Sequence, residues 1–129
     1  MYTRALMISS ALFLAILGLL TSFAPLEVLS RHGTPPDNAT LLLIQMMGAL
    51  YLGFAILNWT ARGVIIGGIY SRPLALGNFL HFAMVGVMLT KAAIVHGAVP
   101  LAISAFTFSF FAAWFGLVLF RSPVPKEPG

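Results

Sequence analysis

Apolar and polar positions do not alternate along this chain. The apolar positions run together in four stretches, 5–24, 41–61, 74–95 and 100–120. Each holds about 20 residues, which at about 1.5 Å per helical residue crosses a hydrocarbon core of about 30 Å. A membrane barrel would instead show strict alternation in segments of about ten residues. Backbone amides and carbonyls in lipid have no water to bond, so continuous spans of this kind must satisfy them within helices. The pattern predicts an all-α fold, a membrane-spanning antiparallel four-helix bundle. It forms a single domain over 1–129, with an irregular tail over 121–129.

Polar residues and prolines mark the joints. The first loop, 25–40, carries Glu27, Arg31, His32 and Asp37 and is broken by Pro35-Pro36. These charges read as a solvated loop, with Asp37 or Asn38 capping the second helix through a short side-chain oxygen. The second loop, 62–73, is apolar and glycine-rich. It is expected to lie in the membrane interface with Tyr70 at headgroup level. Pro73 suits the first turn of the third helix, where its missing amide would have no partner in any case. His96-Gly97 predicts a tight turn, and Pro100 opens the fourth helix.

Composition narrows the solvent further. Hydrophobic residues make up 60% of the chain and charged residues 8%, too little charge to cover a soluble domain. The net charge of +4 is no nucleic-acid signal, because the basic residues are single and sit at span ends. Their placement reads topology. Arg4, Arg62, Arg72, Arg121 and Lys126 stand on one side, against Arg31 and Lys91 on the other. This asymmetry places both termini and the middle loop in the cytoplasm, with a bacterial inner membrane as the expected location. The first span imitates a signal peptide, and Ser22-Phe23-Ala24 imitates its cleavage site. Pro25 just beyond that site and the length of the apolar run favour a retained helix. Asn38-Ala39-Thr40 and Asn58-Trp59-Thr60 match the glycosylation pattern by chance. The chain has no cysteine, which removes disulfides, thiolate metal sites and paired-cysteine quinone reduction.

Lipid gives helices no hydrophobic drive to associate, so small residues that permit close approach are the expected contacts. They are Ala11, Ala15, Gly18 and Ser22 in the first helix. In the second they are Gly48 and Ala55, with Ala49 and Gly53 on another face. Ala83, Gly86 and Thr90 mark the third helix, and Ala102, Ala105, Ser109, Ala112 and Gly116 the fourth. Phe108, Phe111, Trp114 and Phe115 of the fourth helix are expected to face outward, to lipid or to a partner protein.

Polar side chains inside the spans are the candidates for function. Tyr51, Asn58 and Arg62 share one stripe of the second helix. His81 lies on a stripe of the third, with Asn78 at its edge. Counting rises from the cytoplasmic ends puts His81 about 10 Å in, level with Ala55. Ser9 and Ser10 are at similar depth, and Arg62 and Arg72 sit at the mouth. Tyr51, Asn58, Asn78, His81, Arg62 and Arg72 therefore form a candidate ligand site. There the imidazole would relay protons or bond a quinone carbonyl or lipid headgroup, and the arginines would hold a phosphate. The plainer alternative is that His81 bonds Asn58, Tyr51 or a helix carbonyl and fixes the packing. One histidine without carboxylate or thiolate is too few ligands for a metal. Gln45 is expected to bond a neighbouring helix, Lys91 to snorkel to the outer interface, and Met84 and Met88 to fill core space. No nucleophile–base pair, phosphate loop or metal motif is visible, and no catalytic residue is assigned.

Arg4 at the start of the first helix, Phe23-Ala24-Pro25 at its end, and Gln45-Met46-Met47-Gly48-Ala49-Leu50-Tyr51-Leu52-Gly53 in the second helix form a pattern. Arg72-Pro73, Asn78 and His81 in the third extend it. This pattern resembles the small bacterial four-helix membrane proteins grouped as DoxX-like. The resemblance implies the four-helix architecture. Some members of that group are linked to quinone-dependent oxidation, but no catalytic residue carries over to this chain. Three functional expectations follow. The first is a non-catalytic accessory or structural subunit of a larger membrane complex, in contact with membrane lipids and with other subunits or a second copy. The second is a binder or enzyme for a quinone, isoprenoid or lipid at the cytoplasmic-side cluster. The third is a small oligomeric transporter.

Overall fold

A computed structural model describes residues 2–31, 35, 37–63 and 71–121, without the side chains of Tyr2 and Arg121. The expectations for His32, Pro36, the glycine-rich stretch with Tyr70, and the tail beyond 121 lie outside the described residues.

The chain is helical, and no strand occurs among the described residues. The order is α1 (Tyr2–Phe23), α2 (Pro25–Ser30), α3 (Asn38–Thr60), a 3₁₀ turn (Ala61–Gly63), α4 (Arg72–His96) and α5 (Val99–Arg121). α1, α3, α4 and α5 correspond to the four predicted spans, α1 and α3 each stopping one residue short of the predicted end, and are long and apolar enough to cross a membrane. Each exceeds its apolar run by one to three residues at most ends, because capping and the first turn need no apolar side chain.

Local chemistry fixes the ends. α1 stops at Phe23, and Ala24 leaves helical geometry at φ −128°, ψ 49°, as a residue preceding proline tends to do. The chain then restarts as α2 with Pro25 in its first turn. This short helix lies within the segment expected as a solvated loop, and Glu27 and Arg31 are exposed as expected. Asp37 is the N-cap of α3, and its carboxylate accepts the Thr40 amide at 2.8 Å. That bond favours the charged form and holds the Asp37 carboxyl below the ordinary carboxylate range. Pro73 lies in the first turn of α4. At its other end Gly97 takes φ +63°, and its amide bonds the Ala93 carbonyl at 2.8 Å. Glycine adopts this left-handed cap without the clash a Cβ would bring. Pro100 is the second residue of α5.

The contacts group the chain into two units, Met7–Gly63 and Met1–Leu6 together with Val64–Gly129. In the first, α1 and α3 meet through the predicted small residues. A Cβ built on Gly18 would stand 2.8 Å from Leu52 and 3.0 Å from the Gly48 carbonyl oxygen. One built on Gly48 would fall on Ser22 Oγ and stand 2.6 Å from Thr21 Oγ1. Ala11 and Ala55 are buried as expected. The second small face of α3 differs, since Ala49 is exposed and a Cβ on Gly53 would meet nothing within 4 Å.

In the second unit, Gly86 of α4 receives Ser109 of α5, and Phe79 lies against Gly116. The core of this unit corrects the expectation for α5. Phe108, Phe111 and Phe115 are buried, and with Phe82 of α4 they form one aromatic cluster. Phe82 lies 5.6, 5.1 and 5.7 Å from their ring centroids. Ala102 and Ser109 of the small stripe are exposed, while Ala105 and Ala112 are buried. The buried line of α5 runs through Ala105, Phe108, Ala112 and Phe115, so it takes residues from both presumed faces. Small residues let one helix approach, and the phenylalanines beside them fill the space that approach leaves. Met84 and Met88 also depart from expectation, being 52% and 60% exposed. Helical spacing put them on one face without saying which way that face turns.

Candidate functional site

The six candidate residues divide between the units. Tyr51, Asn58 and Arg62 belong to Met7–Gly63, and Arg72, Asn78 and His81 to the other.

In the first unit Tyr51 and Asn58 are buried one above the other on α3, with Ala55 between them. Asn58 is fully buried, and its Nδ2 donates to Ser10 Oγ of α1 at 3.0 Å. Ser10, also fully buried, donates in turn to the Met7 carbonyl at 3.2 Å. This chain of donors ties α3 to α1. Depth alone puts Ser9 and Ser10 together, and the packing of α1 on α3 shows that Ser10 faces Asn58. Arg62 sits just past α3. Its Nη1 donates to the Trp59 carbonyl at 2.6 Å, and its guanidinium carbon lies 4.4 Å above the Trp59 ring. The bond falls on a carbonyl in the last turn of α3, which the Ala61 amide at the C-cap also reaches, and the ring attracts the cation through its negative face. Sequence inspection named Arg62 but missed Trp59. The i,i+3 spacing of the two was the available signal.

In the second unit Arg72 is exposed at the start of α4. Asn78 is fully buried, and its Nδ2 donates to the Leu74 carbonyl of its own helix at 3.0 Å. The His81 ring is half-buried and meets two core aromatics edge-on, Phe82 at 5.4 Å and Phe108 at 6.2 Å. Thr90 donates to Gly86 and Thr21 to Leu17, each within its own helix. Polar groups in a helix interior commonly satisfy themselves on the preceding turn in this way. Gln45, expected to bond a neighbouring helix, is exposed on α3 and has no such bond among the described residues.

Both units carry shallow apolar grooves. One of about 280 Å³ runs between α1 and α3 beside Trp59. Another of about 510 Å³ runs between α4 and α5 past Thr90, Lys91 and Ser109. No group of three or more His, Asp or Glu side chains suited to a metal occurs among the described residues. The first unit thus offers a hydrogen bond between helices and a ring-held arginine, and both units carry apolar grooves. The likeness to DoxX-like proteins rests on the quoted residues alone. Set against family models, curated proteins and solved structures, the chain matches none.

Proposed function

We propose that this protein is an accessory or structural subunit that works by binding other membrane proteins, with no chemistry of its own. In this reading the four long helices form one antiparallel bundle in a bacterial inner membrane, with both ends of the chain and the 3₁₀ turn on the cytoplasmic side. The antiparallel arrangement is supported by two contact registers. Ser10 pairs with Asn58 while Gly18 meets Gly48, and Gly86 meets Ser109 while Phe79 meets Gly116. The orientation is supported by the distribution of Lys and Arg.

The observation that carries the subunit reading is the contrast between glycines of α3. Gly48 is filled by α1, whereas Gly53 and its neighbour Ala49, four residues apart, form an open small-residue face on the same helix. Such spacing packs helices closely in lipid, and this one has no occupant among the described residues. The fully buried asparagines agree with that reading, because both donate inside the chain. Native mass spectrometry after gentle extraction tests it. The expected result is a stoichiometric protein partner that Gly53→Leu releases while the chain stays helical and monodisperse. A wild-type chain that always emerges alone, or a partner indifferent to Gly53→Leu, contradicts the reading.

A further inference from the structure

The groove between α1 and α3 has a charged end. Its walls are Ala11, Leu12 and Ala15 on one side and Leu52, Ala55, Ile56 and Trp59 on the other. All seven are apolar or aromatic, and Leu12, Ile56 and Trp59 are about half exposed or more. Trp59 closes the groove toward the end of α3, and its ring carries the Arg62 guanidinium. The bond from Nη1 to the Trp59 carbonyl fixes the same group a second time. Two contacts therefore hold a cation at one end of an apolar channel.

That cation has donors to spare. A guanidinium presents five N–H groups in a fork that matches phosphate geometry. The bond to Trp59 is the one Arg62 hydrogen bond among the described residues. Neither α1 nor α3 contains Asp or Glu, so no carboxylate on the groove's own helices neutralises the charge. From Leu52 to Arg62 the chain rises about 15 Å, about half the thickness of a hydrocarbon core. A chain lying in the groove would reach from headgroup level toward the bilayer middle.

We propose that this groove binds one anionic phospholipid, with an acyl chain along Leu52, Ile56 and Ala15 and the phosphate on Arg62. A net negative headgroup complements the uncompensated guanidinium. A zwitterionic headgroup brings its own cation to the same place. The proposal does not rest on a protein partner at Gly53.

Tryptophan fluorescence tests this directly. The chain has two tryptophans, and Trp114→Phe leaves Trp59 as the sole reporter. The protein is placed in phosphatidylcholine vesicles that contain brominated phosphatidylglycerol or brominated phosphatidylcholine as a minor component. The anionic lipid is expected to quench Trp59 with about fivefold higher apparent affinity, the effect of one basic residue near a membrane surface. Unlabelled phosphatidylglycerol should reverse the quenching. Arg62→Gln should bring the ratio to about one with helical content unchanged, and Arg62→Lys should fall between. Ala15→Phe, which fills the groove, should weaken quenching by the anionic lipid. Equal quenching by the two lipids in the Arg62 protein would overturn the proposal. So would a preference that survives Arg62→Gln, or a dimer whose formation shields Trp59 from both lipids and so puts a second copy in the groove.

Discussion

Asn58 is completely buried, and its amide reaches across to Ser10 of α1. In hydrocarbon an interhelical bond of this kind contributes about 0.6 to 2 kcal/mol, since the unfolded chain in the membrane also finds partners. A double-mutant cycle of Asn58→Ala and Ser10→Ala, measured by unfolding in detergent, should give a coupling of about that size. Additive effects would mean the bond does not form. The sequence made Asn58, Asn78 and Ser10 visible because polar residues are rare in such spans. It did not show what they bond. Asn78 turns to its own helix at Leu74, and Asn58 turns to another, yet both are asparagines in apolar surroundings. Which choice each makes depends on the neighbour that packing delivers. His81 shows the same limit. Counting rises along the helix did not show that its ring meets Phe82 and Phe108 edge-on.

At the scale of helices, the four spans and most of their ends were legible because length, proline, glycine and Asp37 each act locally. The inward faces were less legible. These helices are apolar all round, so hydrophobicity gives no stripe to distinguish core from lipid. Small residues gave a partial answer. They found the Gly18–Gly48 approach of α1 to α3 and the Gly86–Ser109 approach of α4 to α5. They misled for α5 as a whole, where Phe108, Phe111 and Phe115 turn inward around Phe82. A glycine matters where something occupies the space of its missing Cβ. Gly48→Ala would drive a methyl group into Ser22 and Thr21 and should destabilise the chain by about 1–3 kcal/mol, the usual cost of overpacking. Gly53→Ala, with nothing within 4 Å, should leave the isolated chain at least as stable as the wild type. Comparing the two in the same unfolding assay checks both. Equal loss at both positions would mean that α3 does not pack on α1 through Gly48.

At the scale of the whole molecule, the outward side chains identify the solvent. Phe23, Ile94 and Phe106 are 80%, 80% and 74% exposed, and they belong to a much larger set of exposed apolar residues than a water-soluble monomer tolerates. Four helices able to cross a membrane make this a multi-pass membrane protein. The lipid and protein partners proposed above both depend on α3 crossing from one side to the other. The absence of cysteine makes that crossing directly measurable, since any introduced thiol is the sole target of a membrane-impermeant maleimide. Ser30 and Gly63 flank α3 and are both exposed, and Gly63 has open space for a side chain. In intact cells Ser30→Cys should label, and Gly63→Cys should label only after the membrane is permeabilised. Equal labelling of both thiols in intact cells would contradict a membrane-crossing α3, and labelling of Gly63→Cys alone would reverse the proposed orientation.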